Sequence, residues 1–159
     1  MNESCSRQDA RELLVHGVCV AIPGAGALLR GAPGSGKSDL ALRFISLFGG
    51  DDGVCEGACL VADDQVLLSR AGEGLVARAP EAIAGQLEVR GLGIVEVAHR
   101  KRTPVTLIVD LAAPQDVPRL PPDPLPCEVI LGASIPVLKL NPFEISSPVK
   151  LKLALTGTP

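Results

Sequence analysis

Gly31-Ala32-Pro33-Gly34-Ser35-Gly36-Lys37-Ser38 satisfies the pattern G-x-x-x-x-G-K-[ST] in full. The short apolar run Ala27-Leu28-Leu29-Arg30 before it reads as a strand. Ser38 to Phe48 after it carries Leu40, Ala41, Phe44, Ile45 and Phe48 at helical spacing, and Gly49-Gly50 ends that helix. The pattern therefore demands a strand–loop–helix unit. Its glycines allow the torsions that turn successive N–H groups inward, which makes an anion cradle. The helix start adds its positive end. Lys37 places a point charge on terminal phosphates, and the Ser38 hydroxyl is the expected magnesium ligand. Gly31, Ala32, Pro33, Gly34, Ser35, Gly36, Lys37 and Ser38 are thus the expected binding loop for a nucleoside triphosphate. The loop does not identify the acceptor.

The other segments read as a mixed α/β sheet. From Leu13 the pattern is that of a strand, with Leu14, His16, Val18, Val20 and Ile22 on one face by period two, up to a turn at Pro23–Gly26. Cys59–Ala62 is a buried strand and Gln65–Arg70 a second one, joined through Ala71-Gly72-Glu73-Gly74 to Leu75–Arg78 as a hairpin. Pro80 starts one helical turn. Ile94–Ala98 and the apolar run Val105–Leu111 are strands, the latter central. Residues 112–126 hold six of the 14 prolines, so a stiff surface connection is expected there. Two last strands, Cys127–Leu131 and Ile135–Leu140, precede a helix with Ser147 as its N-cap and Pro148 at its first position.

Beyond the loop, two segments carry chemistry. Leu60-Val61-Ala62-Asp63-Asp64 is an apolar strand ending in two carboxylates. A phosphate site uses such groups to hold magnesium or to take a proton from an attacking hydroxyl. Consecutive residues of an extended chain face opposite ways, so only one of the two shares a pocket unless the strand has already ended. Glu88-Val89-Arg90-Gly91-Leu92-Gly93 places Glu88 within reach of a cation and Arg90 of a phosphate, although a bulged hairpin explains Gly-x-Gly equally well. His16, by its apolar neighbours alone, reads as a core histidine.

Composition excludes several classes. Lys+Arg number 15 against 18 Asp+Glu, net charge -3, without the basic excess of a nucleic-acid binder. There is no Trp and no Tyr, only Phe44, Phe48 and Phe143, so base-stacking modes of RNA recognition are disfavoured and a nucleotide is expected to be held chiefly by its phosphates. Although 47% of residues are hydrophobic, the most apolar stretch, from Gly17 to Leu29, is broken by Pro23, Gly24 and Gly26. A membrane span needs about 20 apolar residues. The five cysteines and two histidines lack zinc spacing and read as reduced thiols, and no apolar signal opens the chain. A cytoplasmic protein is expected, with residues 1–11 flexible and 12–159 a single P-loop domain.

Taken together, His16-Gly17, the Gly31–Ser38 loop, Val61-Ala62-Asp63-Asp64-Gln65-Val66 and Glu88-Val89-Arg90-Gly91-Leu92-Gly93-Ile94 resemble, in this order, the bacterial HPr kinase/phosphorylases. The resemblance covers about residues 12–155 and is to the short alphaproteobacterial form, the catalytic C-terminal domain only. It implies ATP- and Mg2+-dependent phosphorylation of a serine on the phosphocarrier HPr. It also implies a fold similar to the phosphoenolpyruvate carboxykinase nucleotide-binding core, and a homo-oligomer, since longer members are hexamers. By resemblance Asp63 is the general base, His16 the histidine beside it, Lys37 the loop lysine, Ser38 and Glu88 the magnesium ligands, Asp64 the second acidic position and Arg90 the signature arginine.

Three departures accompany the resemblance. Gly49–Gly57 forms an extra loop, and Leu140-Asn141-Pro142-Phe143-Glu144 stands where the family has Pro-Gly-Arg-Asn. The C-terminal segment tied to dephosphorylation is very short. Kinase activity is therefore expected over phosphorolysis. The competing expectations are a non-catalytic nucleotide-sensing regulator of a phosphotransferase system and a small-molecule P-loop phosphotransferase.

Overall fold

In the computed structural model, residues 11–50 and 55–157 are described; the expectations for the first ten residues and for 51–54 of the extra loop lie outside them. The strands and helices in chain order are β1 (Glu12–His16), β2 (Val18–Ile22), β3 (Ala25–Arg30), α1 (Lys37–Phe48), β4 (Cys59–Ala62), β5 (Gln65–Ala71), β6 (Gly74–Arg78), β7 (Gln86–Val89), β8 (Gly93–Glu96), β9 (Thr103–Leu111), β10 (Cys127–Ile130), β11 (Ala133–Leu140) and α2 (Ser147–Thr156). Nine strands form one mixed sheet in the order β1-β5-β6-β9-β3-β2-β4, with β11 on β9 and β10 on β11, while β7 and β8 make a separate hairpin. β9 is the strand on which the sheet forks. It runs parallel to β3 along one edge; on the other it meets β6 at Thr103–Pro104 and, further along, β11 over Ile108–Leu111.

The central strands are buried on both faces, as a near-continuous apolar run requires. Val18, Val20, Ala27, Leu29, Leu107 and Val109 pack with Leu40, Ala41 and Phe44 of α1 and with Leu151 and Leu155 of α2. Cys19, Ala21, Leu28, Val61 and Ile108 face the other way, against Val66, Leu68, Leu75 and Ala77 of the β5–β6 hairpin and Ala133 and Ile135 of β11. Within α1 the rings of Phe44 and Phe48 meet edge to face with centroids 5.7 Å apart. Among the described residues no helix is long and apolar enough to cross a membrane.

The structure departs from two expectations. The strand read as continuous from Leu13 breaks at Gly17. β1 pairs with β5 and β2 with β3 and β4, so His16 and Val18 belong to different parts of the sheet. The cause is a close approach: a Cβ at Gly17 would stand 2.8 Å from the Leu29 carbonyl oxygen. Of the two readings left open at Gly91-Leu92-Gly93, the structure takes the hairpin, with Gly93–Glu96 as its second arm paired with β7. Ser147 is the first residue of α2, not its cap; Ser146 takes that position, and the buried Ser147 hydroxyl donates instead to the Asn141 carbonyl. Residues 112–126 hold neither strand nor α-helix, only a 3₁₀ turn at Pro114–Asp116.

Candidate functional site

The loop is anchored at its root. Arg30, the last residue of β3, forks onto both oxygens of Asp110 in β9 (2.7 and 3.0 Å) and reaches Glu128 in β10 (2.9 Å). Its hydrogen bonds to Asp110 and then to Glu128 raise the guanidinium pKa above its ordinary value, so the cation persists at any working pH. The loop then turns under Lys37. Its Nζ donates to the carbonyls of Gly31 (2.8 Å) and Ala32 (3.0 Å), with Ser35 Oγ at 3.4 Å, which sets the charge inside the loop. Gly36 adopts φ 93° at the helix start, a left-handed conformation suited to glycine, before α1 begins at Lys37.

The two carboxylates take separate places. β4 ends at Ala62, and Asp64 has φ 68°, so the extended geometry that would send neighbours to opposite faces no longer applies. Asp63 is buried, 8% exposed. Its Oδ1 accepts from Ser38 Oγ at 2.8 Å and its Oδ2 from the Glu88 backbone N–H at 2.9 Å, tying α1, β4 and β7 together. Asp64 lies beside His16, whose Nδ1 is 3.1 Å from Asp64 Oδ1; both side chains are more than half exposed. The residue expected from its neighbours to lie in the core is therefore at the site, because β1 ends where β5 begins and His16 pairs with Gln65.

A cleft of about 500 Å³ gathers these groups. His16, Pro33, Gly34, Gly36, Lys37, Ser38, Asp63, Asp64, Glu88 and Arg90 line it, whereas Gly31, Ala32 and Ser35 form the underside of the loop that holds Lys37. The β7–β8 hairpin supplies Glu88, Val89 and Arg90 as one wall. The sequence reading missed Asp39, Leu42 and Phe143, which also line it. Helical spacing from Ser38 to Leu42 was the available signal for Leu42; for Phe143 there was none beyond its being one of three aromatics. Among the described residues no three His, Cys, Asp or Glu side chains are grouped to hold a metal ion by themselves. The Ser38 hydroxyl, the Asp63 carboxylate and Glu88 nevertheless offer hard oxygen donors beside the anion loop, the set magnesium takes when phosphates and waters complete its shell.

The model of the HPr Serine kinase C-terminal domain matches residues 7–141. The chain is 38% identical over 146 residues to the HPr kinase/phosphorylase of Azoarcus sp. (strain BH72), covering 85% of this chain and 44% of that protein. It is 39% identical over 137 residues to that of Leptothrix cholodnii, covering 79% and 38%. The chain thus spans less than half the length of these relatives. The solved structure of the Hpr(Ser) kinase/phosphatase from Coxiella burnetii superposes with a TM-score of 0.73 at 24% identity, covering 91% of this chain and 95% of that one. That likeness bears out the expected mixed α/β fold around a P-loop. By its sequence match and the motifs that line its cleft, the chain belongs to the HPr serine kinase C-terminal domain family.

Proposed function

We propose that residues 12–159 act as one P-loop domain that transfers the terminal phosphoryl group of ATP to a serine of an HPr-type phosphocarrier. One observation carries the reading. The phosphate loop, a carboxylate bonded to its serine, and a separate exposed His–Asp pair all open onto a single cleft. The loop amides, the start of α1 and Lys37 bind and orient the phosphates. Magnesium, when bound with the nucleotide, offsets charge on the transferring group; Ser38 and Glu88 would hold it, with Asp63 fixing the Ser38 hydroxyl. A serine hydroxyl is a poor nucleophile, so positioning and a nearby proton acceptor provide the remaining chemistry.

The family pattern assigns that acceptor role to Asp63. The geometry favours Asp64. Both Asp63 oxygens already accept hydrogen bonds and the group is buried, whereas Asp64 is open to an incoming hydroxyl and is oriented by His16. The test incubates the chain with labelled ATP, magnesium and an HPr-type phosphocarrier, with Asp63→Asn and Asp64→Asn alongside. Phosphoserine on the phosphocarrier from the parent chain, formed at least about 100-fold more slowly by either variant, is expected. No phosphoserine, or full activity in both variants, overturns the reading. Nucleotide binding without transfer points to the regulator, and transfer to a small molecule to the other phosphotransferase class.

A further inference from the structure

Phe143 leaves 68% of its surface exposed at the rim of the cleft, yet the structure holds it firmly. Its N–H donates to Asn141 Oδ1 at 3.0 Å. The carbonyls on either side of it, those of Pro142 and Glu144, both accept from the Arg43 guanidinium of α1. The Asn141 carbonyl accepts from Ser147 of α2. Both helices thus pin the segment, and the ring is presented to the cleft instead of being packed away. It also borders the phosphate loop: a Cβ on Gly36 would stand 3.0 Å from Cε1 and 3.2 Å from Cζ of the ring.

The position on α1 says which part of a nucleotide the ring meets. Ser38 faces Asp63 and the β7–β8 hairpin, where the phosphoryl chemistry lies. Arg43 pairs with Asp39 at 2.9 Å and reaches the Pro142–Glu144 segment, so the ring stands on the flank of the helix start turned away from Ser38. A nucleotide with its terminal phosphates on Lys37 and Ser38 leaves the loop along one flank or the other. Among the described residues, this flank is the one that presents an exposed aromatic ring to the cleft.

We propose that Phe143 is the platform on which the nucleotide base stacks. The proposal rests on reading the cleft as a nucleoside triphosphate site, and it revises the expectation that the ligand is held chiefly by its phosphates. A phenyl ring has no hydrogen-bonding group, so it recognises the π-face of a base, purines before pyrimidines by area, without reading base identity.

Titration calorimetry of the folded chain with ATP and with inorganic tripolyphosphate, both with magnesium, separates base from phosphates. Phe143→Ala is expected to weaken ATP by roughly 5- to 150-fold, the range of a lost base–aromatic stack, while tripolyphosphate stays within about twofold. Phe143→Tyr is expected to restore ATP affinity. Unchanged ATP affinity in Phe143→Ala overturns the proposal, including where only the KM for a protein substrate rises, which makes the ring a docking contact. A parallel loss of tripolyphosphate overturns it too, because the ring then only shapes the loop through Gly36. If the parent chain binds tripolyphosphate as tightly as ATP, the platform fails alone; if it binds neither, the phosphate-site reading fails with it.

Discussion

Two adjacent carboxylates serve one cleft only because the backbone changes hand between them. Asp64, at φ 68°, sits where Asp and Asn are tolerated and a β-branched residue is strained. Asp64→Asn keeps that conformation and a hydrogen-bonding group for His16 but removes the charge and the proton-accepting carboxylate. The expected result is a melting temperature within about 2 °C of the parent and transfer slower by about 10²–10⁴-fold, the usual worth of a positioned base. Asp64→Val should lose the same activity and also cost roughly 1–2 kcal/mol of stability in a denaturant melt. If Asp64→Asn transfers at the parent rate, the acceptor is Asp63. At this scale the sequence was informative where chemistry dictates spacing. Every residue of Gly31–Ser38, and Asp63, Asp64, Glu88 and Arg90, stood out because anions and cations need those types in that order. His16 did not, since its neighbours in sequence are apolar and only the break at Gly17, set by the approach of Leu29, takes it out of the core.

Between elements, the loop is held less by its own glycines than by what fastens its root. Arg30 bridges the end of β3 to β9 and β10 through Asp110 and Glu128, a bidentate geometry that exposed pairs rarely attain. Arg30→Met keeps the stem's packing but leaves two carboxylates facing each other. A loss of about 2 kcal/mol in a urea titration is expected, on the scale of charged hydrogen bonds, together with weaker tripolyphosphate binding because the loop's first residue follows Arg30 directly. Unchanged stability and affinity would assign the fork to ordinary surface pairing. No sequence pattern foretells this fork, since its partners come from residues far apart in the chain. Elements with a strong period were legible: α1 begins one residue before its expected start, and β4 matches its expected span. Partners were not. At β7 the Gly91-Leu92-Gly93 turn allowed a hairpin without fixing its arms, because Leu87 and Val89 both pack into the core with α1 while Val89 also lines the cleft.

At the scale of the whole molecule, the two apolar faces of the sheet determine how the protein responds to alkali. Cys19 and Cys59 lie on the paired strands β2 and β4, where Cys59 stands opposite Ala21, two residues along from Cys19; both are fully buried within the same core. Burial pushes the Cys59 thiol from 9.0 up to about 12, with the neighbouring Cys55 adding to it, and burial raises Cys19 further still. The folded chain therefore keeps both protons above pH 9, where the unfolded chain releases them. Stability contributed by the neutral thiols is intact below about pH 9 and declines as pH rises toward the folded values, by up to about 1.4 kcal/mol per pH unit for each thiol. Urea midpoints measured from pH 8 to 11 should fall accordingly, and Cys59→Ala should flatten the slope after its own offset is subtracted. Alkylation followed by mass spectrometry gives a second readout. The exposed Cys127 should react in the folded chain while Cys19 and Cys59 stay unmodified until denaturant opens the core. Native-state labelling of Cys19 at the rate of Cys127, or a midpoint flat to pH 11, would mean that this face of the sheet is open to solvent and that the double-sided core does not hold.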